Sequence, residues 1–158
     1  MKDLLLAIQT ALRNASSLAY LHSVEILDDE MLIPEEPAFP FVGLIAGDIG
    51  YASIPNKGDS EDYTVIVVVY QSLVLEEMGA SIIGTSNLSD EGKGTLAIGN
   101  DIKAVLNDNF LSQSPAFYFA HRARVERPRT LWSPGDDAQS KLLVTYQRNY
   151  YQYRRLSP

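Results

Sequence analysis

The residues that first invite a chemical reading are Gly92-Lys93-Gly94-Thr95. A phosphate-binding loop needs Gly-x-x-x-x-Gly-Lys-[Ser/Thr] between a strand and a helix, so that backbone N–H groups wrap the phosphates and the hydroxyl meets magnesium. Here Gly94 separates Lys93 from Thr95, and the residue five before Gly92 is Asn87 rather than glycine. The pattern fails at two required places and reads as a flexible loop. The two histidines, His22 and His121, lie in different segments, and neither has a partner at metal-ligand spacing of the His-Glu-x-x-His kind. His22 falls at the end of a helical pattern, where a cation is favoured as a cap. His121 shares a strand face with Phe119 and Ala123 and reads as packing.

Carboxylates cluster at Asp28-Asp29-Glu30, Glu35-Glu36, Asp59-Glu61-Asp62 and Asp136-Asp137. General acid–base work needs two of them converging in a dry concavity, yet every cluster borders a turn and reads as a solvated rim. Asp136-Asp137 lacks the calcium-loop pattern, and no serine sits in a Gly-x-Ser-x-Gly elbow. Cysteine is absent, which excludes disulfides, thiolate metal sites and a cysteine nucleophile. The expectation is a chain without catalytic residues, metal or cofactor.

The C-terminal region is more informative. Arg122, Arg124, Arg127 and Arg129 form a basic ladder followed by Trp132, and Tyr146, Tyr150, Tyr151 and Tyr153 interleave with Arg148, Arg154 and Arg155. Arg and Tyr combine area with directed hydrogen bonds and are enriched in protein interfaces. Arg122, Arg124, Arg127, Arg129, Trp132, Tyr146, Arg148 and Tyr150 are therefore the candidate interface. Such interleaving also serves single-stranded nucleic acid, but the net charge of -7 weighs against that use. The charge is split: residues 1–112 carry 17 acidic and 5 basic side chains, residues 113–158 carry 3 and 8. An acidic body and a basic end suit a partner or another copy of the chain.

The elements that must position these residues follow from periodicity. Leu4 or Leu5, Ile8, Ala11 or Leu12, Ala15, and Leu18 or Ala19 make one apolar face, predicting a helix from Asp3 to Leu21 with Asp3 in its first turn. A short strand is expected over Ser23 to Leu27. Pro34, Pro37 and Pro40 make the next segment an extended connection, and Phe41 to Ala46 is a second strand ended by a turn at Gly47 to Gly50. Tyr51 to Asn56 is a weak strand. Tyr63 to Leu75 is the strongest strand signal, apolar on both faces at Val65 to Tyr70, hence central and doubly covered. Residues 78–95 read as a long flexible Gly/Ser loop. A helix capped by Thr95 follows to Leu111, buried through Ile98, Ile102, Val105 or Leu106, and Phe110, with Gly99 implying close packing.

Two alternating segments close the chain, Phe117 to Val125 and Lys141 to Tyr153, and as sequence neighbours they favour a hairpin. Pro128 stops the first, and Leu131 to Asp137 reads as a turn-bearing connection. The fold class is α+β: two helices packed on an antiparallel or mixed sheet, in the order α-β-β-β-α-β-β. With 158 residues, 46% of them hydrophobic, one domain over 1–158 is expected. The N-terminus lacks a signal-peptide pattern, and no stretch has the apolar length of a membrane span, so a soluble chain is expected.

This order resembles the tail-terminator and tail-completion proteins of long-tailed bacteriophages and prophages, and minor tail proteins of related architecture. The resemblance rests on Leu4 to Leu18, Val65 to Leu75, Met78 to Thr95, Ile98 to Phe110, and the strands Phe117 to Val125 and Leu142 to Tyr153. It covers nearly the whole chain as element order and character, without a short diagnostic motif. It implies a structural homo-oligomer, often a hexameric ring, assembled in the host cytoplasm and then part of the virion tail. Such a ring caps the tail tube and meets the head-completion proteins, with DNA only as passing cargo and no membrane. It also implies that the long loop lines the lumen or orders on docking, with Ser81, Asn87, Asp90, Glu91 and Lys93 as its candidate residues. A monomeric adaptor or nucleic-acid binder, or a small hydrolase uniting His121, Asp48 and Lys93, are the competing readings.

Overall fold

A computed structural model describes residues 1–34, 37–54, 58–72, 79–84, 92–112, 117–132 and 143–156. The first helix, α1 (Lys2–Asn14), buries Leu4, Leu5, Ile8 and Leu12, the expected stripe. It stops earlier than periodicity predicts. Ala15 is extended, and a single 3₁₀ turn (Ser16–Leu18) follows, so the helix-poor residues Asn14, Ser16 and Ser17 end it rather than fray it. His22 consequently lies well beyond the helix and caps nothing there. Its backbone N–H instead donates to the Pro40 carbonyl at 2.9 Å.

Strand β1 (Ser23–Ile26) pairs in parallel with β2 (Phe41–Ile54), and β2 pairs antiparallel with β3 (Gly58–Ser72). The turn expected at Gly47 to Gly50 is a bulge instead. The register slips between Ala46 and Ile49, then resumes to Gly58, so the two predicted strands are one. Gly47 permits this, because a Cβ there would lie 2.8 Å from the Thr64 carbonyl oxygen. After the short helix α2 (Ala80–Ile83) and α3 (Thr95–Leu106) come β4 (Phe117–Val125), β5 (Arg129–Trp132) and β6 (Leu143–Leu156). The sheet order is β1-β2-β3-β6-β4, with β5 also on β6. β4 and β5 lie in succession along one flank of β6, interrupted at 126–128 around Pro128. The expected hairpin is therefore present, and part of its expected connection is itself strand. Register shifts at Phe117/Phe119 and Arg122/Arg124 break the simple alternation of β4, which is why Phe117 and Ala120 are both buried.

The fold is thus α+β, a mixed sheet with both long helices on one face. There Val42, Leu44, Val65, Val67, Val69, Tyr151 and Tyr153 meet Leu4, Ile8 and Leu12 of α1 and Ile98, Ile102 and Leu106 of α3. Each such aliphatic side chain contributes about 1.5–3 kcal/mol by leaving water. The other face has no long helix. Phe41, Ile45, Val68, Tyr70, Leu131, Val144 and Tyr146 are covered there by the connection after β1, through Ile33, Leu27 and Phe39. Phe41 stacks on Tyr70 with centroids 4.4 Å apart. β3 is central and buried on both faces, as its unbroken apolar run requires.

Part of the segment expected as one flexible loop is built into the fold. Gly79 (φ 80°) and Gly84 (φ 101°) adopt left-handed backbone at the two ends of α2. Gly94, not Thr95, is the N-cap of α3, and Thr95 is the first buried helical residue. The helix ends at Leu106, which leaves Phe110 outside it and 43% exposed. Asn87, Asp90 and Glu91 lie outside the described residues.

Gly94→Ala is expected to destabilise by about 1–3 kcal/mol in urea unfolding, because the new methyl would lie 2.2 Å from the Ile82 backbone. Gly50→Ala, with its nearest neighbour at 3.7 Å, should shift stability by no more than about 0.5 kcal/mol. Burial pushes the hydroxyls of Tyr70, Tyr151 and Tyr153 well above the ordinary tyrosine pKa. Their contribution is present below that ordinary value, about 10, and is lost as pH rises beyond it. In an alkaline absorbance titration, these three of the nine tyrosines should ionise only together with loss of sheet circular dichroism. Full ionisation of an intact sheet would contradict their burial.

Candidate functional site

The basic residues singled out in the sequence mostly come together, around a carboxylate the sequence reading passed over. β4 ends at Val125 and Pro128 prevents its continuation, so Glu126 sits in the turn beside β6. Alternation on β6 places Tyr146, Arg148 and Tyr150 on the sheet face away from the helices. Glu126 Oε1 accepts from Tyr150 Oη at 2.9 Å and from Arg124 Nη2 at 2.8 Å. Its Oε2 accepts from Arg148 Nη1 at 3.1 Å, and Arg129 approaches to 3.8 Å. The Arg124 guanidinium also lies over the Tyr150 ring, 4.1 Å from its centroid. On its other side Arg148 pairs with Glu30, whose carbonyl accepts from Tyr70 Oη at 2.8 Å.

This cluster holds charge in place. The Tyr150 hydrogen bond, with Arg148 and Arg124 alongside, lowers the Glu126 pKa although burial acts in the opposite sense. Burial would lower the Arg148 pKa, but the hydrogen bond and charge of Glu30 outweigh it, so the guanidinium is held more firmly protonated than usual. Farther along β6, Arg154 makes a double contact with Asp62 of β3, one of them at 2.7 Å. Arg155 lies over the Phe117 ring at 4.3 Å.

Arg122 does something different. It faces the helical layer, donating to the Gly99 carbonyl at 2.9 Å and to Asn100 Oδ1 at 3.0 Å, with Asn149 Oδ1 at 3.3 Å. Gly99 allows α3 to come this close, since a Cβ there would stand 3.1 Å from Asn149 Oδ1. Tyr146 is buried under the connection after β1. Of the candidate interface residues whose side chains are described, Arg127 is exposed with no ion pair among the described residues. Four of the eight cations of the basic end, Arg124, Arg129, Arg148 and Arg154, thus meet Glu126, Glu30 and Asp62 of the same chain.

The candidate docking-loop residues also have internal roles. Ser81 is buried and hydrogen-bonded to Thr145 at 2.8 Å, so it does not line a loop. Lys93 pairs with Asp101 at 2.8 Å and lies over the Tyr20 ring at 4.6 Å, while Tyr20 Oη reaches the same Asp101 oxygen. Sequence reading missed Glu126 and the buried polar row Thr145, Gln147 and Asn149. One signal existed for the first: Glu126 is a lone acid within Arg124-Val125-Glu126-Arg127-Pro128-Arg129.

No catalytic constellation forms from the residues considered. Asp48 lies on β2 and His121 on β4, three strand spacings or about 14 Å across the sheet. Among the described residues lining a cleft of 520 Å³ between α1 and residues 109–112, Asp3 is the one titratable side chain. A second, of 300 Å³, holds Arg13, His22 and Glu25, where Arg13 already donates to the Val24 carbonyl at 2.7 Å. Among the described residues no group of three or more His, Asp or Glu is placed to hold a metal, and no helix is long and apolar enough to cross a membrane. No protein-family model matches the sequence, and no curated protein matches it significantly.

Glu126→Gln is expected to cost about 1–3 kcal/mol at neutral pH, because three arginines and a tyrosine lose their anion. A carboxylate with a lowered folded pKa stabilises above its ordinary pKa and loses that contribution as pH falls through the folded value. The gap between wild type and Glu126→Gln in urea unfolding should therefore close between neutral pH and about pH 3. A gap that stays constant would show that Glu126 does not carry this charge linkage.

Proposed function

We propose that this chain is a structural component of a phage or prophage tail, of the terminator or completion type, and not an enzyme. It assembles as a ring of copies in the host cytoplasm, caps the tail tube and faces the head-completion proteins, with DNA as passing cargo. The observation that carries this reading is the layout. A leading helix, three strands, a second long helix and a closing antiparallel pair share one sheet, with both long helices on the same face. A layered body of this kind buries its polar groups in its own bracing and offers its edges and turns to neighbours.

Reversing Arg122 would strike the α3 contact, and reversing Arg124 would strike the Glu126 cluster, so neither reports on assembly alone. Arg127, exposed at the turn into β5 and with no ion pair among the described residues, is the cation left for a neighbouring copy. A nucleic-acid platform is disfavoured because the arginines it would need are occupied by carboxylates. A hydrolase is disfavoured because Asp48 and His121 do not converge.

Light scattering over a concentration series at low and moderate salt is expected to show a discrete ring-sized species. Arg127→Glu should weaken its formation about tenfold while leaving the thermal midpoint nearly unchanged. A monomer at every concentration that also fails to bind tail-tube protein would refute the proposal.

A further inference from the structure

The two edges of the sheet are treated differently. On the β4 edge, the Ala120 carbonyl accepts from the Asp108 N–H at 2.9 Å, and the Arg122 N–H donates to Asn107 Oδ1 at 2.9 Å. The residues after α3 thus occupy groups that a foreign strand would need, and two register shifts distort the strand further. The β2 edge is covered by β1 only from Phe41 to Leu44. Beyond the bulge, Ile49 to Ile54 pair continuously with β3 on one side, and no described residue pairs with their other side. Ile49 is 41% exposed and Tyr51 75% exposed on this stretch. Asp48 and Asp59, both exposed, flank it with no Lys or Arg partner among the described residues.

We propose that the open edge of β2 from Ile49 to Ile54 is a docking site for an extended, Lys- or Arg-bearing segment of a different polypeptide, which joins the sheet as an added strand. Main-chain hydrogen bonds supply the pairing, Tyr51 and Ile49 supply apolar contact, and Asp48 and Asp59 select a basic occupant. Self-pairing of two such edges would set Asp48 and Asp59 of one copy near those of the other. This chain's own basic strand β4 has its outer groups at Ala120 and Arg122 occupied by Asp108 and Asn107, and Arg124 and Arg129 are paired to Glu126. The basic strand therefore comes from another protein. This inference does not depend on the ring proposed above.

A short alternating Lys–Val peptide, its Glu–Val counterpart and a Lys–Val peptide interrupted by a central proline serve as probes of the full chain. The Lys–Val peptide should bind, slow amide hydrogen exchange at 49–54, and weaken with salt; the other two should bind at least about fivefold more weakly. Asp48→Lys combined with Asp59→Lys should cut Lys–Val binding about tenfold and restore Glu–Val binding, and Tyr51→Ser should weaken both, with thermal midpoints unchanged. Absence of binding by the intact wild type, equal binding of the proline-interrupted peptide, or protection elsewhere would overturn the proposal. So would self-association of the chain that protects 49–54. None of these outcomes decides whether a ring forms through Arg127.

Discussion

A guanidinium drawn mostly out of water has to meet negative charge, and Arg148 meets it twice, from Glu30 and from Glu126. Those two carboxylates come from parts of the chain that are otherwise unrelated. Glu30 belongs to the connection that lies over the aromatic face of the sheet, and Glu126 to the turn between β4 and β5. Removing either partner would leave part of a mostly buried charge unmatched, which costs more than the pair gains in isolation. The contact therefore fixes the cover over Phe41, Tyr70 and Tyr146 and the path of β4 into β5 at once. Glu126 is the better supplied of the two, with Arg124, Arg129 and Tyr150 as well as Arg148.

The same strand braces the opposite face by different means. There β6 presents Thr145, Gln147 and Asn149, buried polar groups beneath the helical layer. Ser81 binds Thr145, and Arg122 ties the Gly99 carbonyl to Asn149, so α2 and α3 are located by hydrogen bonds as well as by apolar contact. Buried polar groups cost stability unless they are paired, and when paired they select one arrangement of the layers. One strand thus sets both the helical cover and the irregular one.

That economy bears on how the molecule meets others. An acidic body and a basic end first read as two unlike faces for assembly. Once folded, half of the basic end's cations meet carboxylates of the same chain, Glu30, Asp62 and Glu126, and among the described residues Arg127 beside one sheet edge and Asp48 and Asp59 beside the other have no ion pair. A tail-component reading remains the proposal that best fits the layout, with contacts that must be made by turns and edges and not by a broad electrostatic face.

Both long helices and the main strands were legible in the sequence, because periodicity and residue type act locally. The apolar stripe Leu4-Ile8-Leu12, the doubly apolar Val65 to Tyr70 and the glycine at 99 each carry their own structural instruction. Its errors are equally physical. Gly47 to Gly50 looked like a turn because a bulge uses the same residues, and the reach of β5 past Pro128 depends on a partner strand that local pattern does not reveal. Which charges meet follows from the packing of distant segments. Glu30 and Arg148 are 118 residues apart, and Asp62 and Arg154 are 92 apart. Electrostatic partners are set by distance in space, so the bracing of Arg148, the burial of Ser81 and the open edge of β2 appear only when the strands are placed side by side.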